Sequence, residues 1–213
     1  MTKILIVRHG NSLSNIAKTF TGHIDSPLSE TGKMQAEKAS EFIFQNYKVD
    51  KIYSSDLSRA IDTVKPLANK LNLTITLEEG LREIYGGNWE GAELSRLEEL
   101  FYDDYLVWKK SPGLARCTGG ESYEEATERI YNAVKKIALE NVGKTVVIAT
   151  HGGVIRGLQC KLIGLPLSRM KETDYVVNAS VTEIDLVDGN LIWVKTNPTN
   201  YLEGLITSMP KGI

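Results

Sequence analysis

Two short apolar runs, Ile4-Leu5-Ile6-Val7 and Thr145-Val146-Val147-Ile148-Ala149, show no polar alternation and are rich in β-branched residues. Runs of this kind are the pattern of strands buried on both faces of a parallel sheet. Apolar positions at helical spacing predict helices over about 30–46, 57–71 and 121–139, with a further helix around Cys160. Weaker strands are expected at 51–53 and 73–77. The alternation of strand and helix predicts an α/β three-layer sandwich, a mostly parallel central sheet with helices on both faces. Residues 176–187, the turn signal Asp188-Gly189-Asn190 and residues 191–195 predict a closing hairpin.

The stretch 86–120 departs from this alternation, carrying Trp89, Phe101, Tyr102, Tyr105 and Trp108 among acidic residues with glycines at both ends. It predicts a helical insert over the site, a lid or substrate wall, although aromatic residues so spaced more often serve packing. The whole of 1–213, with 86–120 as its insert, reads as a single domain, its length near the upper end of what one core serves. The tail 197–213 carries no readable pattern.

Composition narrows the functional classes. With 42% hydrophobic residues, 24% charged residues and a net charge of −2, the chain reads as a soluble globular protein with no nucleic-acid partner. The first apolar run is too short for a signal-peptide core or a membrane span, so no membrane partner and a cytoplasmic location are expected. Cys117 lies in a polar stretch and Cys160 in a predicted helix, neither near a second ligand at metal spacing. Three histidines without a His-Glu-x-x-His spacing point to chemistry with no metal and no cofactor. A homo-oligomer is compatible with the sequence.

In open α/β sheets, ligands bind beyond the carboxyl ends of the strands, and both continuous apolar runs lead into a histidine. His9 or His151 alone would read as a buried histidine satisfied by hydrogen bonds. Two of them, each followed by a glycine that lets a ligand approach the backbone, point to a site. Arg59 falls in the first turn of a predicted helix that Ser55 or Asp56 could cap. Free backbone amides and the positive helix end favour an anion there, and a guanidinium can bind two of its oxygens. The plainer reading is a surface arginine paired with Asp56 or Asp62.

The ordered set of motifs resembles the histidine phosphatase superfamily in its phosphoglycerate-mutase-like branch. It comprises Arg8-His9-Gly10-Asn11-Ser12 with Asn15, Phe20-Thr21-Gly22, and Leu28-Ser29-Glu30-Thr31-Gly32 with Gln35-Ala36. Further on come Ser54 to Ala60 around Arg59, Leu81-Arg82-Glu83-Ile84, Gly87-Asn88-Trp89-Glu90-Gly91, Gly120-Glu121-Ser122 and Thr150-His151-Gly152-Gly153.

The resemblance implies that His9 is the nucleophile that forms a phosphohistidine and that Glu83 is the proton donor. Arg8, Asn15, Arg59 and His151 would surround the phosphoryl group, with Gly152 beside them. Asn11, Thr21 and Gly22 would lie near the rest of the substrate. Arg8, Arg59 and a protonated His151 would then neutralise the phosphate. The guanidinium charges also disfavour the imidazolium form of His9, which keeps the nucleophile neutral. For Glu83, nearby arginines favour the carboxylate, while burial and an incoming dianion favour the acid. A salt bridge to Arg82 is the structural alternative for Glu83. His23 falls outside the motif and is expected to face solvent.

The expected function is metal-independent hydrolysis of phosphate monoesters of small metabolites. The short segment after Glu83 offers Arg96 as the one cation within 86–100, with Lys109, Lys110 and Arg116 further on. A mutase would use such cations for a substrate carboxylate, so the cofactor-dependent phosphoglycerate mutase is the alternative. A phospholigand-binding module without chemistry is a further one.

Overall fold

The computed structural model describes residues 1–196 and 198–207. Strands β1 (Thr2–Arg8), β2 (Lys51–Ser54), β3 (Ile75–Leu77), β4 (Thr145–Thr150), β5 (Val181–Val187) and β6 (Asn190–Thr196) form one sheet in the order β3-β2-β4-β1-β5-β6. The first four pair in parallel, and β5 and β6 close the other edge antiparallel. The apolar runs therefore lie side by side at the centre, with Ile4 opposite Val146 and Arg8 opposite Thr150.

Their period of two divides the core. Ile4, Ile6, Val146 and Ile148 face one buried cluster, while Leu5, Val7, Val147 and Ala149 face the other. Among the described residues the α-helices are α1 (Leu13–Ala17), α2 (Glu30–Asn46), α3 (Ser58–Leu71), α4 (Leu97–Leu100), α5 (Tyr102–Lys110), α6 (Tyr123–Glu140) and α7 (Gly152–Ile163). Apolar residues of α6 and α7, such as Ile130, Val134, Val154 and Leu158, cover the first face. Ile43 of α2 and Val64 and Leu67 of α3 cover the second. Each fully buried Ile, Leu or Val of this kind contributes about 1.5–3 kcal/mol relative to exposure. The fold is the α/β sandwich expected, with helices on both faces.

Three boundaries differ from the sequence reading, each for a local reason. The expected strand from 176 begins only at Val181, because Ala179 adopts φ 59° and its N–H turns to the Arg8 carbonyl at 3.0 Å. The strand expected from 73 begins at Ile75, because the N–H of Leu73 still closes α3 on the Ala68 carbonyl. The helix expected from 121 begins at Tyr123, where Ser122 and Glu125 form a reciprocal cap. The Asp188-Gly189 turn appears as expected, both residues at positive φ.

The stretch 86–120 holds α4, α5 and three single turns rather than long helices. Its aromatic residues serve packing first. Trp89 is fully buried and meets Trp108 edge to face at 5.4 Å, and both join the core cluster that contains Ile4. Cys117, read as lying in a polar stretch, is fully buried in the same cluster.

Candidate active site

Parallel pairing of β1 with β4 brings together residues more than a hundred positions apart. The His9 N–H donates to the Thr150 carbonyl at 2.9 Å, and the His9 and His151 rings lie 5.2 Å apart. His9 Nδ1 is 2.7 Å from the Gly10 carbonyl, which can only accept. The proton therefore sits on Nδ1, and Nε2 keeps its lone pair. Burial, then the charges of Arg59 and Arg8, hold the His9 imidazole well below the ordinary histidine range.

Arg59, on the first turn of α3, is 1% exposed, which overturns the surface reading. Its guanidinium donates to the carbonyls of Gly22 at 2.7 Å and Ile24 at 2.9 Å, and Nε donates to His151 Nδ1 at 3.2 Å. Burial lowers its pKa to about 10, so it stays charged at neutral pH. The helix cap differs from expectation: Leu57 occupies the cap position without a side-chain bond, and Asp56 instead binds Arg82.

His151 is corrected on its charge. Because Nδ1 accepts from Arg59, the ring proton lies on Nε2, which donates to Ser55 Oγ at 2.9 Å. Burial and then the Arg59 charge keep this imidazole well below the ordinary range, so it is neutral rather than protonated. It is fully buried beside Arg59 and the His9 ring and does not line the cleft, unlike the phosphate contact expected of it.

Arg8 donates to the Val176 carbonyl and lies over the Tyr175 ring at 5.2 Å. Its Nε is buried with no partner among the described residues. Such a donor is costly unless a ligand accepts from it.

Glu83 is bound neither to Arg82, as the alternative had it, nor to any other side chain among the described residues. Its carboxylate accepts the N–H groups of Ile84 (3.0 Å), Gly153 (3.0 Å) and Val154 (3.1 Å), the last two at the N-terminus of α7. A Cβ on Gly153 would stand 2.7 Å from Glu83 Oε1, so the glycine makes this approach available. The Glu83 carbonyl accepts from His23 Nε2 at 2.8 Å and Arg129 Nη2 at 3.0 Å. His23 is thus half-buried beside the acid rather than facing solvent.

Arg8, His9, Asn15, Thr21, Gly22, Arg59, Glu83 and Gly152 line one open cleft. Asn15 uses its amide oxygen to close the α1 cap on the Ser12 N–H at 3.1 Å, which leaves its nitrogen for the cleft. Asn11 is a correction. Its side chain accepts from Ser29 Oγ at 2.8 Å behind the His9 loop, so it anchors that loop to α2 and does not line the cleft.

The cleft also contains Thr19, Tyr123, Arg156, Tyr175 and Val176, which the sequence reading missed. Arg156 had a legible signal, standing three and four positions after Gly153 and Gly152 and so on their face of α7. Tyr175 had none. Burial, then the Glu83 charge, pushes the Tyr123 phenol up, with Arg156 pulling the other way. Leu94 and Trp108 of the 86–120 stretch, with Phe20, supply an apolar wall.

A neutral imidazole with a free Nε2, two charged guanidiniums and a carboxylate at a helix N-terminus can transfer a phosphoryl group. A family model described as the histidine phosphatase superfamily (branch 1) matches residues 4–199. The chain belongs to this superfamily. Among histidine phosphatases, it is 31% identical to phosphoglycerate mutase-like protein 4 of Arabidopsis thaliana, over 88% of this chain and 81% of the other. It is 29% identical to phosphoserine phosphatase 1 of Hydrogenobacter thermophilus over 100% of both chains. The solved structure of Bacillus stearothermophilus YhfR superposes with a TM-score of 0.90 at 27% identity, covering 95% of this chain and 100% of that one. Its sandwich is that of the histidine phosphatases.

Proposed function

We propose that this histidine phosphatase hydrolyses phosphate monoesters of small metabolites through a phosphohistidine at His9. The observation that carries the reading is the His9 Nδ1–H bond to the Gly10 carbonyl, which leaves Nε2 as a neutral nucleophile in a cleft shared with Arg8, Arg59 and Glu83. Nε2 forms the bond to phosphorus as the phosphorus–oxygen ester bond breaks, and protonated Glu83 gives its proton to the departing alkoxide. Glu83, now a carboxylate, takes a proton from water as that water attacks the phosphohistidine, releasing inorganic phosphate and restoring His9. Arg8 and Arg59 neutralise the transferring group throughout, in the place a metal ion would otherwise take.

Hydrolysis rather than isomerisation is supported by the 86–120 stretch. Arg96 pairs with Glu99, Lys109 with Glu98 and Arg116 with Glu125, and none of these cations lines the cleft. A cytoplasmic setting is supported by two free buried cysteines, and no helix among the described residues is long and apolar enough to cross a membrane.

Rapid quenching with a labelled ester tests the nucleophile. Acid-labile, base-stable label should appear on the protein and map to His9, and His9→Ala should lose both label and turnover. Full activity in that variant would overturn the proposal.

A further inference from the structure

Gln35 is fully buried on α2 and does not line the cleft, so it takes no direct part in phosphoryl transfer. It stands three positions after Gly32, on the face of α2 that packs against the loop following His9. Its amide spans two main-chain groups. Oε1 accepts the Asn11 N–H at 2.7 Å, and Nε2 donates to the Leu205 carbonyl at 2.7 Å. Because the first group can only donate and the second only accept, the amide has one orientation. The C-terminal segment that supplies Leu205 is anchored in turn by Leu202, fully buried against Ala39 of α2.

Successive peptides after β1 are held by different elements. The His9–Gly10 peptide gives its N–H to Thr63 Oγ1 of α3 at 2.8 Å, and its carbonyl accepts from Asn178 Nδ2 at 2.9 Å. The carbonyl of the Asn11–Ser12 peptide accepts the Ser29 N–H at 2.9 Å, and its N–H donates to Asn15 Oδ1 at 3.1 Å. Between them, the Gly10–Asn11 peptide has the His9 ring on one side and Gln35 on the other. In a trans peptide the C=O and N–H lie in one plane and point opposite ways. A bond that fixes the Asn11 N–H therefore fixes where the Gly10 carbonyl points, and that carbonyl is the acceptor 2.7 Å from His9 Nδ1. With the peptide turned away, nothing would hold the proton on Nδ1, and a ring protonated on Nε2 presents no lone pair to phosphorus.

We propose that Gln35 is a positioning residue for the nucleophile: held by the Leu205 carbonyl, it orients the Gly10–Asn11 peptide so that the Gly10 carbonyl keeps the His9 ring proton on Nδ1. The role rests on the reading of His9 as nucleophile. It is exerted through the peptide, and the phosphate contacts of Arg8 and Arg59 do not depend on it.

Ring-nitrogen chemical shifts of enzyme labelled with ¹⁵N-histidine, assigned against His9→Ala, read the tautomer directly. Wild-type His9 should be protonated on Nδ1. Gln35→Met, which keeps length and volume but offers no amide, should move the proton to Nε2. Its single-turnover phosphorylation by nitrophenyl phosphate should slow by about 10- to 100-fold, as for a misaligned reacting group, with inhibition by inorganic phosphate not weakened. Should Gln35→Met fail to fold, Gln35→Asn decides, since it keeps a polar group but is one methylene too short to span Asn11 and Leu205. It should change in the same direction. Gln35→Glu keeps an acceptor for the Asn11 N–H and should keep the Nδ1 proton while losing stability to urea. Loss of that proton in Gln35→Glu as well would make packing the cause and overturn the proposal. An unchanged tautomer in folded Gln35→Met or Gln35→Asn would overturn it too, leaving the nucleophile reading intact. A wild-type His9 protonated on Nε2 would overturn both.

Discussion

Glu83 shows how one side chain is made competent by main-chain groups alone. Three main-chain N–H donors fix its carboxylate without a cationic side chain, while the side chains of His23 and Arg129 hold its main-chain carbonyl. A proton donor matters most when the leaving group is a poor anion. Glu83→Gln should therefore slow hydrolysis of an alkyl phosphate by about 10²–10⁴-fold. A nitrophenyl phosphate, which expels a stable phenolate, should be affected far less. Single-turnover rates for the two ester types decide the point, since equal losses would make Glu83 a positioning group for phosphate.

At the scale of elements, the His9 loop is held between α2 and the sheet by close backbone approaches. Gly32, in the first turn of α2, packs directly against the Asn11 carbonyl, and a Cβ there would collide with it. Gly32→Ala should destabilise the fold by about 1–3 kcal/mol, as overpacking does, and should lower activity because the loop after His9 must shift. Urea unfolding and turnover measured together check this, and a variant unchanged in both would contradict it. A second inter-element tie is Glu183 on β5. Burial raises its carboxyl, but Tyr47 at the end of α2, Lys195 of β6 and Lys3 of β1 outweigh this and hold it at about 2. A depressed folded value means that the stability it contributes is present above the unfolded value near 4.5 and is lost as pH falls toward about 2. In Glu183→Gln, urea midpoints should depend less on pH across that window. An unaltered slope would mean that the cluster does not matter to acid stability.

For the molecule as a whole, the outcome of the reaction depends on which walls surround the cleft. The sheet ends carry the charged groups, while Phe20, Leu94 and Trp108 add apolar surface to the cleft lining. An isomerase must hold its phosphorylated acid while the acid turns over and takes the phosphate back, which calls for cations on that apolar part of the lining. Free phosphate should consequently outpace isomer formation when 3-phosphoglycerate is supplied, whatever its affinity. The two products followed in one time course settle this, and faster interconversion of phosphoglycerate isomers would place the chain with the mutases.

Much of this protein was legible in its sequence because the deciding forces were local or periodic. Continuous β-branched runs can be satisfied only between two layers, and this sets β1 and β4 at the centre of the sheet. The motif set around His9, Arg59, Glu83 and His151 likewise carried the family. Other features depend on groups that meet only after the strands have paired. The neutral state of His151 follows from Arg59 and Ser55 reaching its two ring nitrogens, and no spacing along the chain encodes that. Asn11 belongs to the motif that implies a substrate contact, but in the fold Ser29 claims its side chain. Tyr175 became a cleft residue because the loop before β5 turns at Ala179 onto the Arg8 carbonyl instead of continuing as strand. Periodicity and motif thus determined which residues are buried and which chemistry is available. Tertiary packing alone decided where each proton sits and which side chains remain free to bind, because both depend on partners brought within hydrogen-bond reach by the fold.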